Sequence, residues 1–196
     1  MDLKELVLKT RSYRRFDASV SIEKQTLLDL IELARCSPSA ANRQPLKYVL
    51  SCEPEMNAKI FSTLGWAGAL PEWPGPEKPE RPTGYIVMCI DKSIAENLTW
   101  VGHDVGIAAQ SIFLGAVDKG LGGCMFGTIK KNELNNILAL PGNLEINLVI
   151  ALGKPVEKIV LEDVKPDGSI KYHRDAEQTH YVPKRSRDEL VLKTYG

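Results

Sequence analysis

The sequence predicts an α+β fold in which helices pack around a mixed central sheet. Tyr85–Ile90 is apolar at every position, which is typical of a strand that is buried on both faces. Val101–Val117 is apolar nearly all round, and this pattern predicts a long, fully buried helix. The remaining helical and strand patterns follow one another without a linker or an internal repeat. We therefore expect a single domain over residues 1–196.

The segment before the central strand is predicted to contain three helices and one strand. Apolar residues at helical spacing predict helices over Asp2–Lys9 and Ile22–Arg35, the second with Ser21 as its N-cap. The β-branched and aromatic run Lys47–Ser51 predicts a short strand. Pro54 suits the first turn of a helix that reaches about residue 64.

An irregular segment follows over residues 65–82. Five prolines exclude regular structure there, while Trp66 and Trp73 offer large apolar surfaces to bury. Loops of this length in compact domains are commonly lids or binding loops, so we expect a lid-like loop. The five prolines are Pro71, Pro74, Pro76, Pro79 and Pro82.

The second half of the chain is predicted to alternate in the same way. The pattern predicts a turn leading into a short strand over Gly120–Gly127. It then predicts a helix over Lys131–Leu140 and a core strand over Leu144–Leu152. Residues from about 156 to 196 are charged and weakly periodic, which predicts a C-terminal arm that wraps another surface. Small residues form a stripe along the long helix and allow another helix to approach, within the subunit or across an oligomer interface. They are Gly102, Gly106 and Ala109.

Composition limits the class of partner. The 196 residues include 25 Lys plus Arg and 25 Asp plus Glu, so the formal net charge is zero. A broad nucleic-acid footprint normally needs a basic excess, and we expect no nucleic-acid partner. The first residues are charged, and the longest apolar run is shorter than the ~20 residues of a membrane span. The four cysteines contain no C-x-x-C pair. These features predict a cytoplasmic protein with no membrane partner.

Arg11-Ser12-Tyr13-Arg14 is a candidate anion site. In a helical turn Arg11 and Arg14 would project on the same side, and Ser12 would add a hydroxyl donor. Two guanidinium groups and a hydroxyl suit a phosphate with roughly −1.5 to −2 charges. Taken alone, the stretch fits a solvated basic turn better, because that is the commoner case.

Two further segments combine flexible backbone with polar side chains. Ser37–Pro45 carries backbone donors and two carboxamides that can pair with a heterocycle, although it also fits an ordinary helix-to-strand connection. Gly120–Gly127 allows close approach to a flat ligand or simply makes a tight turn. It is not a dinucleotide fingerprint, because Met125 stands where glycine is required and a strand follows.

No side chain stands out as a catalyst. The three histidines show no metal-ligand spacing, and serine-hydrolase and nucleoside-triphosphatase motifs are missing from the sequence. Val182–Arg187 forms a second basic cluster, which by itself fits a solvated terminus. Any catalysis is therefore expected to depend on a bound cofactor and to need no metal.

Taken in order, six motifs resemble those of the flavin-dependent nitroreductase family. The two N-terminal motifs are the more specific, and together the six span nearly the whole chain. They are Arg11-Ser12-x-Arg14-x-Phe16, Pro38-Ser39-Ala40-x-Asn42-x-Gln44-Pro45, Asp104-x-Gly106-x-Ala108-Ala109-Gln110, Gly120-Leu121-Gly122-x-Cys124, Ala151-Leu152-Gly153-x-Pro155 and Pro183-Lys184-Arg185.

The resemblance implies a three-layer α-β-α sandwich that forms an intertwined homodimer with one FMN at each of two interface sites. Three sets of residues would hold FMN. Arg11, Ser12 and Arg14 would take the phosphate and ribityl chain, with Lys184 and Arg185, or alternatively Arg187, closing on the phosphate. Pro38, Ser39, Ala40, Asn42 and Gln44 would come from the partner subunit. Backbone groups of Met125, Phe126 and Gly127 would line the edge of the flavin ring.

The chain departs from the family at residues 64–68, where members often carry an asparagine and a lysine that touch the flavin.

The implied activity is ping-pong hydride transfer from NADH or NADPH, through FMN, to an electron-poor small molecule such as a nitroaromatic or a quinone. Two alternatives stay open at this point. One is reductive dehalogenation or oxidation of a specialised metabolite on the same fold. The other is a flavin-binding module without turnover.

Overall fold

The computed structural model of the chain describes residues 1–68, 73–95 and 98–196. Pro71, which belongs to the predicted lid-like loop, lies outside the described residues. In chain order the helices and strands are α1 (Leu3–Lys9), β1 (Phe16–Asp17), α2 (Lys24–Arg35), β2 (Leu46–Ser51), α3 (Pro54–Ser62), β3 (Gly84–Asp91), α4 (Leu98–Asp118), β4 (Gly122–Phe126), α5 (Lys131–Leu138), β5 (Leu144–Pro155), β6 (Ile159–Asp163), β7 (His173–Arg174), β8 (His180–Lys184) and α6 (Arg187–Leu190). Two 3-10 turns lie at Ala40–Asn42 and Lys78–Glu80.

The central sheet has five strands in the order β1-β5-β3-β2, with β4 also paired to β5. The strand directions differ from the predicted mixed sheet, because all four pairings are antiparallel. Two of these pairings follow from the position of β5. Helix α4 returns the chain so that β3 and β4 run parallel, as a helical crossover does. Strand β5 then runs between them in the opposite direction, so its pairings with β3 and β4 are both antiparallel.

Helices cover both faces of this sheet, which confirms the α+β class and the three layers. All eight residues of β3 are buried, as its unbroken apolar run predicts. Alternate residues of a strand point to opposite faces. Ile86, Met88 and Ile90 pack towards α2 and α4, whereas Tyr85, Val87 and Cys89 pack towards Ile60 of α3 and Leu134 of α5.

The start of α2 differs from the sequence prediction. The helix begins at Lys24 after an extended Glu23, and Ser21 is not its N-cap. Ile22 is buried, and its side chain lies against Gly84 at the start of β3. This tertiary contact holds the chain extended through the position where the local cap signal predicted a helix.

Helix α4 is only partly buried within one chain, which corrects the prediction of full burial. The sheet and α2 cover one side of the helix, including Ala109 and Ile112. The opposite side is open: among the described residues, no atom outside the helix's own backbone lies within 4 Å of where a Cβ would stand on Gly102 or Gly106. Ile107 on the same side is 41% exposed. No helix in the described part of the chain has the length and apolarity needed to cross a bilayer.

The segment predicted as a C-terminal arm contains a second sheet, in the order β6-β8-β7. Here β6 and β8 pair in parallel and β7 and β8 in antiparallel, so this small sheet is the mixed one. It lies beside the residues that follow α1, because Glu157 accepts a hydrogen bond from Arg14 N at 2.8 Å. Beyond α6 the chain is exposed, with Leu192 at 91% and Tyr195 at 89%.

Candidate functional site

A cleft of about 280 Å³ lies between the segment after α1, the strand β4, the helix α4 and the second sheet. Arg11, Ser12 and Arg14 line it, as do Met125 and Lys184. The structure thus brings together five of the predicted site residues from three distant parts of the sequence. Gln110 and Phe113 of α4 close one wall of the cleft, and Ile159, Tyr172, His180 and Val182 close another.

The segment after α1 is extended, which corrects the predicted helical turn. Helix α1 ends at Lys9, and Thr10 caps it. Ser12 then forms a parallel bridge with Gly123, and Tyr13 N donates to Gly123 O at 3.0 Å. Pairing with the free edge of β4 therefore sets this backbone. Both arginines still reach the cleft because their side chains are long.

The Arg11 guanidinium has an unpaired donor that an anion could occupy. Its Nη2 donates to Val7 O at 2.9 Å, but its Nε is buried and has no hydrogen-bond partner in the described part of the chain. Burial lowers the pKa of Arg11, which reflects the cost of holding the charge there without a counterion. Buried donors are normally paired, so a ligand with anionic oxygens fits this position.

Strand β4 presents its backbone to the cleft. Gly123 O accepts from Tyr13 N on the side away from β5, and the backbone groups of Met125, two residues further on, point to the same edge. The Met125 side chain is 51% exposed, whereas Phe126 is buried behind the strand against Trp66. Apart from its chain neighbours, no described residue has an atom within 4 Å of a Cβ placed on Gly127. A flat ligand can therefore approach this edge closely.

The loop predicted to come from the partner subunit lies away from this cleft within one chain. Pro38, Ser39 and Gln44 line a second cleft of about 290 Å³, and Ala40 lines a third of about 440 Å³. Asn42 lies between them in the loop, where Gln44 Nε2 donates to Asn42 Oδ1 at 3.0 Å. A single subunit therefore does not bring these five residues to Arg11 and Arg14.

Asp104 of α4 holds this loop in place. The buried carboxylate accepts from Ser39 Oγ at 2.7 Å and from Ala40 N at 2.8 Å. Ala41, Asn42 and Gln44 all have positive φ, which costs free energy for residues with a side chain. The anchor therefore keeps the loop in a conformation that it would not favour by itself.

The two basic residues that follow Lys184 do not reach the cleft. Arg185 pairs with Glu189 on the surface, one turn away in α6. Arg187 is 88% exposed and lies 3.3 Å from Asp188. Of the three cations considered for the phosphate at this end of the chain, the structure brings only Lys184 into the cleft.

The sequence did not indicate a buried network that closes the cleft behind Arg14. The Glu157 side chain is 1% exposed and accepts from Arg174 Nη2 at 2.5 Å as well as from Arg14 N. Arg174 Nε in turn donates to His180 Nδ1 at 3.3 Å. Burial lowers the pKa of His180, and the nearby positive charges of Arg14 and Arg174 act in the same direction while Glu157 opposes them.

One signal for part of this network was present in the sequence. His180, Val182 and Lys184 alternate along β8 and all line the cleft, as one face of a strand should. Only five residues form β8, and the flanking sequence is polar. Periodicity alone therefore did not identify it as a strand.

The two tryptophans of the predicted lid-like loop have different environments. Trp66 is 9% exposed and packs in the core against Phe61 and Phe126. Trp73 lies nearer the surface, with the Arg174 guanidinium 4.6 Å from its ring centroid. Trp66 is therefore a core residue, and a lid function for the loop stays a prediction.

Comparison with known proteins agrees with this architecture. The nitroreductase family model matches residues 7–154. A protein of Archaeoglobus fulgidus, provisionally named an NADH dehydrogenase/NAD(P)H nitroreductase, is 25% identical over 158 residues, which cover 78% of this chain and 85% of that protein.

Solved structures show the same fold. The FMN-dependent nitroreductase of Clostridium difficile R20291 superposes with a TM-score of 0.65 at 22% identity, covering 80% of this chain and 89% of that one. The nitroreductase family protein of Streptococcus pneumoniae TIGR4 gives a TM-score of 0.69 at 20% identity, covering 88% and 100%.

These matches place the protein among the oxidoreductases. More particularly, the chain belongs to the nitroreductase family, because the family model covers well over half of it.

Proposed function

We propose that the protein is an FMN-dependent oxidoreductase that takes hydride from NADH or NADPH and passes it, in a ping-pong reaction, to an electron-poor small molecule. The observation that carries the proposal is the buried, unpaired Arg11 Nε in a cleft that Arg14 and Lys184 also line. The family match and the FMN-dependent structural relative support the same cofactor.

The residues of the cleft would divide the cofactor between them. Arg11, Ser12 and Lys184 offer two cations and a hydroxyl to a phosphate, and Arg14 extends the positive charge towards the ribityl chain. The free edge of β4 at Met125 would supply backbone donors to the flavin ring, with Gly127 leaving room for it. Because β4 is rigidly paired to β5, these donors are in place before the ligand arrives.

When bound, FMN supplies the hydride chemistry. The protein's part would be to orient the ring and to place positive charge beside it, which favours the more negative reduced state. No acid or base from the protein is assigned. Nitroaromatics and quinones are the proposed acceptors.

A homodimer is part of the proposal, because the loop that contains Ser39 and Asn42 lies away from the cleft of its own chain. A second subunit that packs on the open side of α4 would bring its own loop to this cleft. The open face at Gly102, Gly106 and Ile107 gives the space that such packing needs.

The dimer is tested by measuring mass in solution. Wild-type protein is expected to sediment at twice the mass of the 21.7 kDa chain. Gly106→Trp should shift the protein towards monomer and weaken FMN binding, since a large side chain would occupy the helix contact. Ser62→Trp, at the end of α3, is the control and should sediment like wild type. A monomeric wild-type protein that binds FMN fully would contradict the proposed interface.

Arg11→Ala tests the cofactor. The variant is expected to bind FMN roughly 10- to 150-fold more weakly, because a hydrogen bond to a charged group contributes about 1.5–3 kcal/mol. Titration of apoprotein with FMN, followed by fluorescence quenching, measures this. Lys131→Ala removes one charge from an exposed pair with Glu145 and should leave the affinity unchanged.

Anaerobic addition of NADH or NADPH to the loaded protein then tests turnover. Bleaching of the flavin followed by reoxidation with a nitroaromatic or a quinone supports the proposal. Bound FMN that neither donor bleaches would favour the flavin-binding module. Turnover of a halophenol alone would favour dehalogenation. Wild-type protein that stays colourless and does not take up FMN would refute the proposed function.

A further inference from the structure

The inward face of β8 arranges three side chains of different chemistry along the cleft. His180, Val182 and Lys184 alternate on one face, so the histidine and the lysine are four positions apart, or roughly 13 Å between Cα atoms. A cation thus lies at one end of the strand, an apolar side chain in the middle and an imidazole at the other end. An elongated ligand with its anionic group at Lys184 would place its uncharged part beside His180.

The tautomer of His180 is set by its neighbours. Arg174 Nε donates to His180 Nδ1 at 3.3 Å, so Nδ1 must accept and the ring proton lies on Nε2. Arg174 is fixed in turn by Glu157, because Arg174 Nη2 donates to Glu157 Oε1 at 2.5 Å. The chain of donors therefore runs from Arg174 into the ring, and such chains polarise one another.

The Nε2–H donor has no partner within the described part of the chain. His180 is 1% exposed and lines the cleft, and the one hydrogen bond of its ring in the described residues is at Nδ1, whereas its backbone N donates to Lys158 O. The Tyr172 ring packs on the imidazole with 5.0 Å between the ring centroids. The Arg14 guanidinium carbon lies 5.2 Å from the centroid of the same tyrosine ring. An oriented donor that opens into the cleft without a partner from the described residues is available to an acceptor on a ligand.

We propose that His180 is a binding and positioning residue whose Nε2–H donates to the flavin ring of FMN, at the end of the cofactor remote from the phosphate. This inference rests on the proposed function. The ring bears carbonyl acceptors, and its reduced form carries negative charge that a neutral, fixed donor stabilises without becoming a proton donor itself. Hydrogen bonds to charged acceptors are roughly twice as strong as neutral ones, so the contact favours reduced over oxidised flavin.

Binding and redox measurements on His180→Ala, His180→Gln and Lys184→Ala test this assignment. His180→Ala is expected to weaken FMN and riboflavin by the same factor, about 10-fold, because both carry the ring. Lys184→Ala should weaken FMN more than riboflavin, because only FMN carries the phosphate. Glutamine retains a donor near the position of Nε2, so His180→Gln should recover most of the affinity.

The midpoint potential separates a ring contact from a merely structural role. If His180→Ala loses tenfold more affinity for reduced than for oxidised flavin, the two-electron potential falls by about 30 mV. His180→Gln should lie near wild type. A loosened cleft would weaken both redox states alike and leave the potential unchanged.

Three outcomes would overturn the assignment. They are unchanged flavin affinity in His180→Ala, a loss confined to FMN, or an unchanged potential. Failure of wild-type protein to bind FMN is a different result, because it would refute the proposed function itself before any variant is compared.

Discussion

Glu157→Ala is expected to lower the free energy of unfolding by about 3–5 kcal/mol, since removing one partner of a buried ion pair leaves the other charge uncompensated. The Glu157 side chain is 1% exposed, and its loss would leave the Arg174 guanidinium and the Arg14 backbone N–H without their acceptor. The His180 ring would also lose its fixed donor when Arg174 moves. Urea denaturation followed by circular dichroism measures the change.

Glu32→Ala is the matched control for this variant. Glu32 also pairs with an arginine at 2.5 Å, but its side chain is 58% exposed and that of Arg35 is 65% exposed. Exposed pairs contribute at most about 1 kcal/mol, so this variant should unfold close to wild type. Equal stability of Glu157→Ala and Glu32→Ala would show that the buried network around Glu157 does not stabilise the fold.

The elements of the fold that were predictable are those with strong periodic signals. The apolar run at β3 and the long apolar pattern of α4 identified the centre of the sandwich, because β3 is buried throughout and α4 is buried along the side that faces the sheet. The exposed side of α4 was not predictable, since an apolar residue that faces solvent in one chain has the same sequence signature as a core residue.

The candidate site was predictable only in part, for a related reason. Arg11, Ser12, Arg14 and Lys184 carry a recognisable motif, and the structure brings them into one cleft. The Glu157 network connects residues as far apart as 143 positions, and no local spacing reports such pairing. The second sheet was not predictable from the sequence, because its strands are short and tertiary contacts stabilise them.

Asp104→Ala is expected to release the loop at Ser39 and Ala40 while leaving the sheet folded. Each of the two hydrogen bonds to the carboxylate is worth about 1.5–3 kcal/mol, so local stability should fall by roughly 3 kcal/mol or more. The positive φ angles at Asn42 and Gln44 add to the effect, because the freed loop will relax from them. Amide hydrogen exchange should therefore speed up at Ala40 and Gln44 and not in β3.

This variant also links the loop to the cofactor, because the proposed dimer places it over the partner's cleft. FMN affinity is expected to fall at least tenfold in Asp104→Ala, although the residue lies away from Arg11 in its own chain. Asp29→Ala breaks an exposed pair with Lys119 and should change neither exchange nor affinity. Faster exchange with unaltered FMN affinity would separate the loop from the flavin site and leave Arg11, Arg14 and Lys184 as the residues that hold the ligand.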